Sequence, residues 1–218
     1  MKIKNFLKNL FKDISVVIGF IFIVVLLANT FRKYINKNPM LWQIIIFSIA
    51  NLYLLIIYRK EFKDYFLDFK KNYKKHLSKG FKVYIICLFF MYISNILIYY
   101  LTKSLATNET MNRTSVSQNL VLSIIDMCIL APFYEETLSR LSFKNLFSNK
   151  WTFSIITGLV FGSMHLLVAE SLIECLYLIP YSTMGFSLGY MFYDTNNIFT
   201  SMSFHFLNNF VSILLLVL

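Results

Sequence analysis

Charged residues are scarce in this 218-residue chain, at 15% of the composition, and proline, glycine and cysteine are scarce as well. Six glycines exclude a collagen-like repeat, and three cysteines without a Cys-x-x-Cys spacing exclude a disulfide scaffold. Apolar residues make up 57%, and the 23 Phe and 14 Tyr exclude a disordered chain. Since soluble domains have about 45–50% apolar and about 25% charged residues, the composition indicates an integral membrane protein.

Long apolar runs bounded by charge predict how the chain crosses the membrane. A helix spanning about 30 Å of hydrocarbon needs roughly 17–25 mostly apolar residues. Seven such runs are present, and Pro180 interrupts the sixth, so an eighth segment stays open. We therefore expect an all-α, polytopic transmembrane bundle of seven or eight helices. The seven runs are residues 14–30, 41–58, 83–101, 119–134, 151–168, 171–193 and 198–218.

Basic residues predict the orientation of this bundle. Nine of the 21 Lys and Arg lie in residues 59–82, between apolar runs, which favours the anionic inner membrane face as partner over nucleic acid. A cytoplasmic N-terminus places 16 basic residues inside and 5 outside, so the positive-inside rule predicts that arrangement. Aromatic residues recur at helical spacing among these lysines. We expect a basic amphipathic helix in the headgroup plane near residues 60–78.

Polar side chains within the apolar runs are the best functional clues. An ionisable group at mid-membrane costs roughly 2.5–3.5 kcal/mol, so such residues face a protein interior and have partners or a function. The groups that qualify are Asp126, the run from Glu135 to Arg140, His165, and a stripe of His205, Asn208, Asn209 and Ser212.

The two adjacent glutamates have different expected roles. Glu136 and Arg140 are four residues apart, so on a helix they can form an ion pair. Glu135 lies about 100° away on another helix face and is left as a free carboxylate. The alternative is an interfacial helix end whose charges meet water.

Two histidines and an asparagine are expected near Glu135. His205 and Asn209 are also four residues apart and share one helix face. We counted 1.5 Å per residue from the predicted cytoplasmic end of each helix. On that measure Glu135, His165 and Asn209 all lie about 18–21 Å deep. One intramembrane site can therefore hold all four side chains, although hydrogen bonding between packed helices alone also explains the histidines and the asparagine.

A carboxylate, two imidazoles and a carboxamide are the parts needed to activate a water molecule and to stabilise an oxyanion. The one Gly-x-Ser-x-Gly spacing, Gly185-Phe-Ser187-Leu-Gly189, lies inside the sixth apolar run and not at a strand-to-helix elbow, so nothing indicates a covalent serine intermediate. The pattern favours hydrolysis by activated water. A transporter would also place ionisable groups at mid-membrane, but it would usually show two similar halves.

These residues resemble the CPBP family of intramembrane proteases, also called the Abi or type II CAAX prenyl protease family. Its motifs are Glu-Glu-x-x-x-Arg, Phe-x-x-x-His and His-x-x-x-Asn/Asp. They correspond here, in order, to Glu135-Glu136-Thr-Leu-Ser-Arg140, Phe161-Gly-Ser-Met-His165 and His205-Phe-Leu-Asn-Asn209. The resemblance covers about residues 120–218. Ser139 and Leu141 depart from the aromatic residue and glycine that many members have beside the motif arginine.

The resemblance implies a division of roles among the site residues. The first glutamate and first histidine, Glu135 and His165, would activate water, and His205 with Asn209 would form the oxyanion hole. Glu136, Arg140 and Phe161 would support them. The family is often labelled a metalloprotease, and Glu135, His165 and His205 offer an O/N/N set that zinc accepts. Hydrolysis without a metal ion would need no cofactor. Zinc-dependent and metal-free catalysis both stay open.

The expected organisation is one membrane unit in two parts. Residues 1–118 would hold N-terminal transmembrane helices and the basic segment, and residues 119–218 the catalytic core. The partners expected are the lipid bilayer and a membrane-associated protein or peptide substrate. A Lys-, Asn- and Ile-rich composition favours a bacterial plasma-membrane protein. Bacterial relatives are tied to bacteriocin immunity and peptide maturation, so a catalytically silent immunity or scaffold protein of this fold is the main alternative to an endopeptidase.

Overall fold

A computed structural model describes residues 2–218, with side chains from Leu7 onward. Lys2 and Lys4, which count toward the predicted cytoplasmic segment, have side chains outside the described ones. The described residues are 89% helical and contain no strand, which confirms the all-α class. The α-helices are α1 (Lys2–Thr30), α2 (Arg32–Ile35), α3 (Pro39–Ile57), α4 (Arg59–Thr102), α5 (Thr107–Gln118), α6 (Leu120–Ile124), α7 (Ala131–Glu136), α8 (Lys150–His165), α9 (Leu178–Thr195) and α10 (Ile198–Val217).

Four of the described helices are long and apolar enough to cross a membrane. They are Leu7–Thr30 within α1, and the helices α3, α4 and α10. The chain is thus a multi-pass membrane protein. The count of seven or eight crossings stays a prediction, since the other helices do not meet this measure of length and hydropathy.

Helix boundaries differ from the predicted runs in the second half of the chain. The fourth run continues to Leu141, through π-helical segments at Ile125–Leu130 and Thr137–Leu141 on either side of α7. The fifth run ends early, at His165. The sixth begins as a 3-10 helix, Leu172–Tyr177, before α9 starts. Asparagine side chains cap the N-termini of three of these helices. The side chains of Asn119, Asn149 and Asn197 accept hydrogen bonds from backbone N–H groups in the first turns of α6, α8 and α10.

The polar connection after α4 contains a helix that the hydrophobic pattern did not predict. Residues 107–118 form α5, which is almost wholly polar and therefore lacks an apolar stripe. Its N-terminus is held by a distant carboxylate. Glu174 accepts hydrogen bonds from the Thr107 N–H (2.7 Å) and the Thr107 hydroxyl (3.1 Å). The hydrogen bond from the Thr107 N–H is the largest cause of a lowered pKa of Glu174, and the bond from the Thr107 hydroxyl lowers this pKa further.

The basic segment is helical, but it does not end where the predicted interfacial helix ends. It belongs to α4, which runs on to Thr102 and is kinked at Asn72, where φ is −119° and ψ is 16°. Before the kink, Phe62 and Tyr65 are buried against the bundle while Phe66 is exposed. The segment before the kink is therefore amphipathic, and its apolar face packs on protein.

Close contact between α8 and α9 forms the centre of the second half. A Cβ atom on Gly158 would lie 2.7 Å from the Phe186 backbone nitrogen and 3.0 Å from the Ser182 carbonyl oxygen. On the facing helix, a Cβ atom on Gly185 would lie 2.9 Å from the Gly158 carbonyl oxygen. Glycine on both helices thus lets the two backbones touch.

We expect Gly158→Ala to destabilise the protein, because the added methyl group meets backbone that cannot rotate away. Overpacking of this kind costs about 1–3 kcal/mol, and about 1 kcal/mol lowers the melting temperature by roughly 2–4 °C at this chain length. Heating the detergent-solubilised protein and measuring the monodisperse fraction tests this. Leu159→Ala, at a neighbouring position that is 44% exposed, is the matched control and should melt near wild type. Equal melting of all three proteins would contradict the packing described.

Candidate active site

Pro132 shapes the helical segment that carries the two glutamates. Its ring nitrogen has no hydrogen, so a regular ladder of backbone hydrogen bonds cannot pass this residue. The Ala131 N–H bonds to the Asp126 carbonyl in the π pattern, and the same pattern would pair the Met127 carbonyl with residue 132. The Met127 carbonyl therefore has no backbone donor there. Its partner is the Asn209 side chain, whose Nδ2 donates to it at 2.7 Å.

Glu136 is a completely buried carboxylate with two basic neighbours. Its Oε2 lies 3.4 Å from Nε of Arg140, which is also completely buried. Its Oε1 lies 3.2 Å from Nδ1 of His205. The ion pair that the four-residue spacing predicted is present. The contact with His205 was not predicted, and it joins the first motif to the last.

Arg140 connects three helices from the centre of the bundle. Its two terminal nitrogens donate to the carbonyl oxygens of Thr157 (3.0 Å) and Gly185 (2.9 Å). Its guanidinium carbon lies 5.4 Å from the centre of the Phe161 ring, within cation–π range. The side chain is therefore fully embedded despite the unusual neighbours Ser139 and Leu141. Ser139 is itself buried and donates to the Glu135 carbonyl oxygen.

His205 lies between the two glutamates. While Nδ1 faces Glu136, Nε2 lies 3.7 Å from Oε2 of Glu135. The Phe161 ring meets the imidazole edge to face, with ring centres 5.4 Å apart. Because a carboxylate only accepts hydrogen bonds, the contact with Glu136 requires a proton on Nδ1. The ring orientation is thus fixed, with Nε2 directed toward Glu135.

Glu135 is the less constrained of the two glutamates. Its side chain is 14% exposed, and Oε2 is buried without a hydrogen-bond partner among the described residues. The expectation of a free carboxylate beside a paired one thus matches this geometry. A buried carboxylate oxygen without a donor is costly, which suits a group that receives a proton during a reaction.

His165 is oriented by its own helix. Its Nδ1 lies 2.9 Å from the Phe161 carbonyl oxygen, so Nδ1 donates this hydrogen bond and Nε2 is left free of it. The Tyr181 ring stacks on the imidazole with centres 4.6 Å apart. Within the part of the chain whose side chains are described, His165 makes no hydrogen bond to a polar group of a neighbouring helix, which was the simpler explanation for it.

One cavity brings the four predicted catalytic side chains together. It has a volume of about 570 Å³, and Glu135, His165, His205 and Asn209 all line it. The polar stripe of α10 faces this cavity, because Asn208 and Ser212 line it as well. The four residues that were grouped by their estimated depth along the helices thus line one cavity.

Sequence reasoning did not find the polar partners on other helices. Gln43 donates to Oδ2 of Asp126 at 2.7 Å, and both line the cavity beside Glu135. Tyr181 and the Met127 carbonyl were missed too. A polar Gln43 within an apolar run was the available signal, but its partner is 83 residues away.

The described side chains do not fit a metal ion. Among residues 7–218 no group of three His, Cys, Asp or Glu is arranged to hold one. In the O/N/N set that the resemblance implies, Nδ1 of His205 bonds to Glu136, and its Nε2 lies 3.7 Å from Oε2 of Glu135.

Comparison with known proteins agrees with the motifs. A family model described as type II CAAX prenyl endopeptidase Rce1-like matches residues 117–211. No curated protein and no solved structure gave a match. The matched region contains all four cavity residues and the Glu136–Arg140 pair. Residues 117–211 of the chain are therefore similar to the type II CAAX prenyl endopeptidase Rce1-like family.

Proposed function

We propose that the protein hydrolyses a peptide bond of a membrane-associated protein or peptide, with a water molecule activated by Glu135 and His165. The observation that carries this proposal is the unpartnered, buried Oε2 of Glu135 in a cavity shared with His165, His205 and Asn209. A general base must be close to the proton that it removes and must be free to accept it. Glu135 meets the second condition, and the cavity has room for water and a peptide.

The steps follow from the proton positions. A water molecule in the cavity gives a proton to Glu135, and the lone pair on Nε2 of His165 helps to orient that water. The water oxygen then attacks the peptide carbonyl carbon, and negative charge develops on the carbonyl oxygen. Glu135 passes its proton to the leaving nitrogen, and the C–N bond breaks.

The developing oxyanion is stabilised by His205 and Asn209. One hydrogen of the Asn209 amide is held by the Met127 carbonyl, and the second is available to the oxyanion. His205 donates from Nε2 when both ring nitrogens are protonated. Glu136 faces Nδ1 at 3.2 Å and so holds the ring with its other nitrogen, Nε2, directed toward Glu135.

We expect Glu135→Gln to abolish cleavage while the protein accumulates normally. General bases contribute about 10²–10⁴ in rate, and glutamine keeps the shape of the side chain. Quantitative membrane proteomics of cells with wild-type or Glu135→Gln protein would reveal peptides whose cleavage disappears. Glu170→Gln, which changes an exposed carboxylate, is the control. If the two kinds of cells show the same set of cleaved peptides, the result would favour the catalytically silent immunity or scaffold protein.

Glu136→Gln should behave differently, because it removes the charge that balances buried Arg140. Removing one partner of a buried ion pair costs about 3–5 kcal/mol. We expect a reduced amount of folded protein, measured by immunoblot and by melting in detergent. If Glu136→Gln accumulates and melts like wild type, the pair does not have this structural role.

His205 and Asn209 should act as one unit. Loss of one preorganised oxyanion donor costs about 10²–10³ in rate, and residues that work together are strongly non-additive. His205→Ala and Asn209→Ala should each lose activity of that order, and the double variant should be little worse than the poorer single one. Leu214→Ala, at a 42% exposed position of the same helix that does not line the cavity, is the control. Full multiplication of the two losses would show independent roles.

Removal of metal should leave the activity unchanged, because no group of three His, Cys, Asp or Glu among residues 7–218 is arranged to hold a metal ion. Cleavage dependent on Glu135 would be measured before and after treatment with a membrane-permeant zinc chelator. Loss of cleavage that added zinc restores in wild type, but not in His205→Ala, would contradict this expectation.

A further inference from the structure

The bundle has two chemically different ends. At one end, residues near the start of α1, the first half of α4 and the loops before α8 and α10 contact one another. Lys150 and Lys79 both lie 3.1 Å from the Asp194 carboxylate, and Lys144 donates to the Tyr65 hydroxyl at 2.7 Å. We call this the basic end.

The opposite end is formed by the loops around α2, α5 and the 3-10 helix before α9. Tyr177 donates to the Ser104 carbonyl at 2.6 Å, and Glu174 holds the start of α5. By position in the chain, 15 Lys and Arg belong to the basic end and 5 to this end, with Arg140 buried between them. The five are Arg32, Lys33, Lys37, Lys103 and Arg113.

The catalytic cavity opens toward the end with few basic residues. Its upper wall is α5, through Asn108, Glu109 and Asn112, together with Gln43 near the start of α3 and Ser212 in the second half of α10. Among the described residues, Arg113 is the only Lys or Arg side chain that lines it, and Arg113 is paired with Glu109 at 2.8 Å. No lysine of the basic end from Lys8 onward, where side chains are described, lines the cavity.

The polar helix α5 makes this opening accessible to water. A helix without an apolar face is not stable in hydrocarbon, so α5 lies at the membrane surface. Glu135 is 15 residues further along the chain than Leu120, which is roughly 22 Å along a helix. An extended peptide of about seven residues covers that distance. Water and an unwound peptide therefore both have a path from this surface to the catalytic carboxylate.

From this placement we infer that substrates enter the cavity from the extracytoplasmic side. The positive-inside rule assigns the basic end to the cytoplasm, and the cavity opens at the other end. This inference rests on the proposed function and specifies its substrate class: exported or membrane-anchored peptides with an extended segment outside the cytoplasm. Prenylated tails displayed in the cytoplasm do not have access to this opening.

Native cysteine chemistry allows a direct test of the sidedness. Cys175 is exposed at the cavity end, whereas Cys87 and Cys128 are buried. Intact bacterial cells that express the full chain are treated with a membrane-impermeant maleimide, before and after permeabilisation. We expect Cys175 to be labelled in intact cells and Cys175→Ser to remain unlabelled.

Two further variants in the Cys175→Ser background locate the opening itself. Asn112→Cys, at the cavity wall, should be labelled in intact cells, and Lys74→Cys, at the basic end, only after permeabilisation. Labelling of Lys74→Cys in intact cells, or of Asn112→Cys only after permeabilisation, would overturn the inference. If Asn112→Cys does not accumulate, exposed Met111, which also lines the cavity, is replaced instead.

The cleavage products separate this inference from the proposed function. In wild-type cells, peptides that disappear in Glu135→Gln should come from exported or membrane-anchored proteins with extracytoplasmic segments. Products from cytoplasmic tails would overturn the inference and leave the endopeptidase standing. Expected labelling without any Glu135-dependent product would instead contradict the proposed function, while the sidedness of the cavity would stand.

Discussion

Glu136 is the charge on which the architecture of the site depends. A carboxylate with no exposed surface is unfavourable by several kcal/mol unless opposite charges and donors surround it. Arg140 supplies the charge from the same helix, and His205 supplies a donor from α10. Arg140 in turn bonds to backbone carbonyls of α8 and α9. Four helical segments are thereby held in one register, and that register presents Glu135 to the cavity.

The irregular, π-helical backbone before the two glutamates also helps to position the site. Pro132 leaves the Met127 carbonyl without a backbone donor, and Asn209 supplies the missing hydrogen bond. That contact fixes the amide at the cavity wall, four residues beyond His205 on α10. A defect in one helix is thus satisfied by a side chain of another. It also orients a group that can donate to an oxyanion, so stability and preorganisation come from the same bond.

Charge and polarity along the membrane normal are separated in a way that suits a protease. Lysines and arginines concentrate at the end where α4 is kinked, while the cavity and polar α5 occupy the other end. The buried charged cluster lies between them, in the packed centre where Gly158 and Gly185 bring α8 and α9 into contact. The cavity that holds the four predicted catalytic side chains is therefore lined by residues of the end with few basic side chains.

Much of this protein was determined by local sequence. Hydrophobic runs predict an all-helical membrane bundle because segment length and apolar content decide insertion. Four-residue spacings predict the Glu136–Arg140 pair and the shared face of His205 and Asn209, because helical periodicity alone sets those directions.

Tertiary structure decided the rest. The His205–Glu136 contact, the Gln43–Asp126 bond and the stacking of Tyr181 on His165 join residues that helical periodicity cannot relate. Helix α5 has no apolar periodicity, and its start is held by Glu174, 67 residues away. Such contacts depend on how helices pack, and packing depends on side-chain shape across the whole bundle.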